Sequence, residues 1–209
     1  MKLLALLISS IIILGCKHNT DDFNKYFVYT PSKNSDSLLV YKSWYGHLEK
    51  SSTKLDNKRN IITYKYDSLN QLMAYNTKKL SGDNLKLIES NNLGKSPHIK
   101  TILKDNYLTL NKDSIATLTT NQKINDIEIN KEINTKFIGS YIPFKLNGQS
   151  YNTIKFQYTR TIKISSDSLP TQTRNQSGFY IYGENIGLIK HGIIQENDTV
   201  LKILTGTSN

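Results

Sequence analysis

Phe137-Ile-Gly-Ser-Tyr-Ile-Pro-Phe-Lys-Leu146, then Asn147-Gly148, then, two residues on, Tyr151-Asn-Thr-Ile-Lys-Phe-Gln-Tyr-Thr-Arg-Thr-Ile-Lys-Ile164 is the stretch that decides the fold. Asn-Gly between two runs rich in β-branched and aromatic residues is a strong hairpin signal. Both turn residues tolerate the positive φ that a two-residue turn demands. The two runs therefore predict a pair of antiparallel strands.

The same pattern spreads outward from this hairpin. Gly178 to Tyr182 and Ile186 to Ile194 form a second pair across Gly183-Glu184-Asn185, and Val200 to Leu204 closes the chain. Upstream, Ile61 to Tyr66 and Gln71 to Thr77 flank a turn at Asp67 to Asn70. Ile99 to Leu103 and Tyr107 to Leu110 flank Lys-Asp-Asn as another hairpin. Leu38 to Tyr45, Leu85 to Glu89 and Ile115 to Thr120 are further short strands. Ile127 to Ile133 alternates, though residues 124–137 read equally well as a short helix, which periodicity alone does not separate from a strand.

About a dozen strands with frequent turns predict a mainly β protein. The expected form is a single domain of curved antiparallel sheet, half-barrel or sandwich-like. The alternative is an α+β fold with one short helix near 124–137. The expected divisions are a signal peptide at 1–15, a polar tether at 16–25 and the antiparallel β domain at 26–209. Ile, Leu, Phe and Tyr at alternate strand positions are expected to line a cup.

Composition agrees. Of the 209 residues 37% are hydrophobic, which is low, but 10% are aromatic, mostly Tyr, which disordered chains lack. Net charge is +10, a balance that favours anionic partners or reflects a general over-use of Lys. The basic residues are spread along the chain.

The first sixteen residues form a separate signal. Met1-Lys2 is a positive start, Leu3 to Leu14 is almost wholly apolar, and Gly15-Cys16 follows. The run is shorter than the ~20 residues that span a bilayer and has the length of a signal-peptide core. Ile13-Leu14-Gly15-Cys16 resembles the lipobox of bacterial lipoproteins, with Ile13 where Leu is preferred and Leu14 where a smaller residue is. The resemblance implies cleavage between Gly15 and Cys16 and lipidation of Cys16. Cys16 is the sole cysteine, so no disulfide can form within the chain. Asp21 and Asp22 lie where some Gram-negative lipoproteins carry an acidic surface-display signal, with Lys17 and His18 intervening.

Two further resemblances bear on the β domain. Phe137-Ile-Gly, Ile142-Pro-Phe-Lys-Leu-Asn-Gly-Gln-Ser-Tyr151, Ile154-Lys-Phe156, Phe179-Tyr-Ile-Tyr182 and Gly187-Leu-Ile-Lys190 follow one another in an order similar to that of a group of bacterial envelope lipoproteins. That group implies a β-sheet envelope protein and no particular chemistry. Tyr64-Lys-Tyr66-Asp67 with Leu72 is similar to one unit of the tyrosine–aspartate repeats of large secreted β-proteins, and an ordinary hairpin explains it equally.

Five of the eleven Asp residues precede a hydroxyl and then an apolar residue, at Ser37, Ser68, Ser114, Ser168 and Thr199. This triplet resembles the O-glycosylation consensus of one group of Gram-negative bacteria. Asp-Ser is also a good turn pair, so modification and turn formation place these residues alike.

Catalytic chemistry is poorly represented. The four histidines, His18, His47, His98 and His191, show no metal-ligand spacing. No nucleophile elbow or phosphate loop occurs. Glu49, Glu89, Glu128, Glu132, Glu184 and Glu196 form no recognisable glycosidase pair. No catalytic residue, metal or cofactor is assigned. Trp44, Tyr45 and His47 form one local group able to stack on a sugar ring, or to pack a sheet. The expected function is a non-enzymatic, membrane-anchored envelope lipoprotein, in the outer membrane, binding a lipid, glycan or protein partner and no nucleic acid. The rivals are an assembly subunit of a surface complex and a hydrolase without a recognisable motif.

Overall fold

The computed structural model describes residues 25–27, 38–43, 46–58, 60–93, 99–102, 105–195 and 198–208. Among them are thirteen strands and no helix. They are β1 (Leu38–Lys42), β2 (Leu48–Leu55), β3 (Asn60–Tyr66), β4 (Leu72–Ser81), β5 (Asn84–Asn92), β6 (Ile99–Ile102) and β7 (Asn106–Thr109). The second half holds β8 (Ile115–Ile124), β9 (Ile127–Leu146), β10 (Gln149–Ser166), β11 (Leu169–Gly183), β12 (Gly187–Gln195) and β13 (Asp198–Ser208).

All pairings are antiparallel, in one sheet of order β6-β5-β4-β3-β2-β1-β13-β12-β11-β10-β9-β8. The chain thus runs as two meanders joined where β13 returns to pair with β1. β7 pairs with β5 beside β6 and contacts β8 and β9 at the far edge. The sheet is therefore curled into a nearly closed barrel, with a seam between β7 and β8. Across that seam the Thr119 amide donates to Asp105 Oδ2 at 3.3 Å.

Local chemistry explains the turns. Among the described residues four non-glycines have positive φ, and all are asparagine: Asn70, Asn125, Asn147 and Asn185. Asn tolerates this region because its short polar side chain bonds locally. Asn147 (φ 50°) and Gly148 (φ 80°) make the two-residue turn of the β9–β10 hairpin. At β3–β4, Asp67 Oδ1 accepts from the amides of Leu69 and Gln71 at 2.9 and 2.8 Å. Register shifts occur in β1, β3, β4, β9, β10 and β11. Such bulges bend strands, which a curling sheet requires.

Three expectations change. The helix considered over 124–137 is absent, because Asn125 turns the chain between β8 and β9. The segments around 99–103 and 107–110 are not a hairpin, since β6 and β7 both pair with β5 in succession. β2 was not foreseen at all. Its sequence, Leu-Glu-Lys-Ser-Ser-Thr-Lys-Leu, lacks apolar alternation because its inner residues Ser51 and Thr53 face a polar lumen.

The core fills one part of the barrel. Leu85, Leu108, Leu118, Ile133, Phe137 and Phe156 are buried there together. Phe27, from the short turn 25–27, joins them and meets Tyr182 edge-on at 5.1 Å. Lys25 holds that turn in place: its Nζ lies 3.1 Å from Glu184, and its carbonyl accepts from the Asn185 amide. A second cluster of Leu39, Tyr41, Ile186, Ile189 and Leu204 packs against Phe144, Leu146 and Tyr151 of the β9–β10 hairpin.

Candidate functional site

Alternate residues of each strand face inward, and along several strands the inward set changes character. On β8 it runs Ala116, Leu118, Thr120, Gln122. On β9 it runs Phe137, Thr135, Ile133, Lys131, and on β10 Phe156, Tyr158, Arg160. β3 passes from Ile61 through Thr63 to Lys65, and β4 from Leu80 to Lys78 and Asn76. The apolar part is filled by side chains. The polar part leaves a lumen of ≈ 380 Å³.

Six cations line this lumen: Lys50, Lys65, Lys78, Lys131, Arg160 and Lys202. His191 lies among them, opposite Lys202 on β13 and Tyr180 on β11. No carboxylate belongs to the described lining. Glu49 stands beside it and forms an ion pair with Lys202. The expected apolar cup is therefore half right: the floor is apolar and aromatic, and the chamber above it is cationic.

The electrostatics follow from this crowding. Burial lowers the pKa of Lys65, repulsion from Lys202 lowers it further, and Glu49 opposes both. Lys65 is nonetheless exposed to the open lumen that it lines. Burial, then Lys65, brings Lys78 down to about 8. Burial, then Arg160 and Lys65, lowers Lys131. His191 falls to about 4, through burial and then the charges of Arg160, Lys202 and Lys65, so it is neutral near pH 7. The Arg160 guanidinium donates to Gln176 Oε1, but its Nε is buried and has no hydrogen-bond partner among the described residues.

Tyrosines form the aromatic wall. Tyr158 and Tyr180 stack at 4.8 Å, and Tyr180 lies 4.8 Å from the His191 ring. Tyr107 meets Tyr180 at 6.1 Å. The ammonium of Lys78 sits 5.1 Å from the Tyr107 ring centre, and that of Lys202 4.9 Å from Tyr41. The Tyr41 hydroxyl donates to the Leu188 carbonyl at 2.7 Å. Burial holds the phenols of Tyr41, Tyr107, Tyr180 and Tyr182 above their usual range, so they remain protonated.

The residues singled out from sequence lie elsewhere. Gly15, Cys16, His18, Ser37, Trp44, Tyr45, His98 and Glu196 are outside the described residues. His47 is exposed just before β2 and does not line the lumen. Ser68 and Ser168 are exposed in the β3–β4 and β10–β11 turns, Ser114 is half-buried ahead of β8, and Thr199 is exposed on β13. Leu69, beside Ser68, is 76% exposed. His191 was known only as one of four histidines. The signal that finds the site is the inward alternation ending in Lys or Arg on β3, β4, β9, β10 and β13.

No protein-family model and no curated protein sequence matches the chain. Two solved structures share its architecture. One is a candidate lipoprotein of Parabacteroides distasonis, with a TM-score of 0.58 and 12% identity over 88% of this chain and 98% of that one. The other is a candidate exported protein with a YmcC-like fold from Bacteroides fragilis, with a TM-score of 0.52 and 12% identity over 88% of this chain and 99% of that one. At this identity the likeness establishes a common fold, and the chain is an antiparallel β-barrel of the architecture these two proteins share.

Proposed function

We propose that this chain is an envelope lipoprotein, anchored in the outer membrane through acyl chains on Cys16, whose barrel binds a ligand without transforming it. The observation that carries the binding reading is the ≈ 380 Å³ lumen, within the range of small-molecule sites. Filling it with apolar side chains would stabilise the fold, whereas gathering six cations there costs solvation. A chamber kept open and charged at that cost is well suited to a ligand. The anchoring reading is supported by Leu3 to Leu14 followed by Gly15-Cys16. It is also in keeping with the candidate lipoprotein and exported protein that share the fold. Acylation on one cysteine with more than one chain gives firm attachment, since each buried methylene adds ~0.8 kcal/mol.

Native mass spectrometry of the Cys16→Ser protein, purified gently from its host's periplasm, tests the binding reading. A reproducible added mass of lipid or glycan size is expected. A clean mass of the polypeptide alone counts against it. Mass spectrometry of the wild-type mature N-terminus tests the anchor, and an unmodified peptide beginning at Met1 overturns it.

One feature favours an assembly role as a second reading. Ile138, Tyr141 and Ile142 on β9 are 40%, 40% and 71% exposed near the tip of the longest hairpin. Exposed apolar residues gathered in one place suit a protein partner. Cross-linking in intact cells through position 142 tests this, with a discrete adduct expected.

A further inference from the structure

We infer that the lumen is a site for an acidic sugar: a polyhydroxylated ligand carrying carboxylate or phosphate groups. The inference rests on the binding reading above and specifies its ligand. Three features of the wall converge. Lys50, Lys65, Lys78, Lys131, Arg160 and Lys202 supply positive charge from six different strands, and Glu49, beside the chamber, opposes them. Among the described residues the sum is unbalanced, and an anion balances it.

Arg160 gives the anion a defined contact. Gln176 accepts from one of its terminal nitrogens, which fixes the plane of the guanidinium. The buried Nε is left without a partner among the described residues. An unpaired buried donor costs free energy comparable to a lost hydrogen bond. A carboxylate or phosphate oxygen drawn to Nε would satisfy it with a charge-assisted hydrogen bond.

The rest of the wall matches hydroxyl groups rather than a bare inorganic ion. Thr53, Thr63, Asn76, Thr101, Thr120 and Gln122 line the same chamber. Each carries a neutral group that both donates and accepts, or pairs an acceptor with a donor. Tyr41, Tyr107, Tyr180 and Tyr182 border the same chamber with protonated phenols. A fatty acyl chain would find few apolar partners in the upper chamber, and a neutral sugar would leave the cations unbalanced.

Isothermal titration of the Cys16→Ser protein at pH 7 and low salt tests the inference, with digalacturonate, neutral digalactose and inorganic pyrophosphate as probes. Digalacturonate is expected to bind, digalactose to bind at least about tenfold more weakly, and Arg160→Gln to weaken digalacturonate about tenfold. Lys123→Gln, at an exposed position on β8 that is not part of the lining, should leave binding unchanged. Raising salt should weaken binding. Equal affinity for digalactose overturns the charge requirement. Pyrophosphate binding as tight as digalacturonate overturns the sugar requirement. No binding of digalacturonate overturns the inference itself. A neutral lipid found in the chamber by native mass spectrometry would do the same while leaving the binding reading intact.

Discussion

The Tyr158 hydroxyl lies 2.9 Å from His191 Nε2. It is also 3.3 Å from the Gly192 carbonyl oxygen, and the tautomer of His191 decides which of the two contacts uses its single proton. Both rings flank Tyr180, and the three together separate the packed floor from the charged chamber. Protonating His191 would leave both ring nitrogens as donors and add a further cation beside Arg160, Lys202 and Lys65, with Glu49 opposing their repulsion.

His191 therefore makes the fold acid-sensitive. Its folded pKa of about 4 lies below the ordinary histidine value of 6.5. Between those values the unfolded chain takes up a proton that the folded chain does not. Stability should be fully present above pH 6.5 and fall as pH drops through about 4, by roughly 2 kcal/mol after allowance for lumen water. His191→Phe keeps the ring contact and cannot titrate. Urea midpoints at pH 7 and pH 4.5 should show the wild type losing more than the variant. Parallel losses in the two proteins would mean that other groups set the acid limb.

Gly178 and Gly192 are each covered by an aromatic ring from the neighbouring strand, on opposite faces of the sheet. Tyr158 pairs with Gly178 and Phe179 with Gly192. A Cβ at Gly178 would lie 2.2 Å from the Gly192 carbonyl oxygen and 2.5 Å from the Tyr158 ring. A Cβ at Gly192 would lie 2.4 Å from the Phe179 ring. Backbone cannot yield as a half-buried ring can. Gly178→Ala should thus cost about 3 kcal/mol and Gly192→Ala about 1 kcal/mol in urea unfolding. Equal costs would show that the rings, not the carbonyl, set the limit.

How far the sequence carries the fold depends on what each strand faces. The Asn147-Gly148 hairpin and the β11–β12 pair were legible because turn residues sit between apolar runs. β2 was not, because Ser51 and Thr53 face water inside the barrel and leave no alternation to read. β6 and β7 misled for another reason: a turn-like break between two short runs marks a hairpin or an interrupted edge, and only pairing with β5 decides. The site was hidden in the same way. Lys65, Lys78, Lys131, Arg160 and Lys202 look like ordinary outward charges of half-exposed strands. Their inward position becomes apparent only when each is placed two residues from a buried neighbour, as Arg160 is from Tyr158 and Lys131 from Ile133. Trp44 and His47 drew notice because they are close in sequence, whereas the chamber is gathered from all thirteen strands.

Lys78 should be a cost to the fold at neutral pH. Its pKa falls from 10.5 to about 8, chiefly by burial, with Lys65 adding repulsion and the Tyr107 face offering partial compensation. Between pH 8 and 10.5 the unfolded chain binds more protons than the folded one, so this contribution to stability rises with pH across that window. Lys78→Met should stabilise the protein at pH 7 by about 1–2 kcal/mol, after discounting for screening by lumen water. The gain should shrink as pH climbs toward 10.5. Thermal unfolding of both proteins at pH 7 and pH 10 checks it, and a gain that does not shrink would point to packing instead of charge.

Glu49 should act on stability and on ligand in opposite senses. It pairs with Lys202 from a position whose side chain is 43% exposed, while the lysine is 14% exposed. Its charge also supports the protonated form of Lys65. Glu49→Gln removes that support and leaves the chamber cations to repel one another. Pairs of this exposure contribute little, so the loss should be no more than about 1 kcal/mol at low salt, and less in high salt. For an acidic ligand the same change removes the one neighbouring carboxylate, so digalacturonate affinity should rise about threefold. Chemical denaturation and titration calorimetry on one preparation measure both. If stability and affinity fall together, Glu49 is holding the shape of the chamber. If they move apart, the carboxylate is a local counter-ion that partly offsets the chamber's charge when no ligand is present.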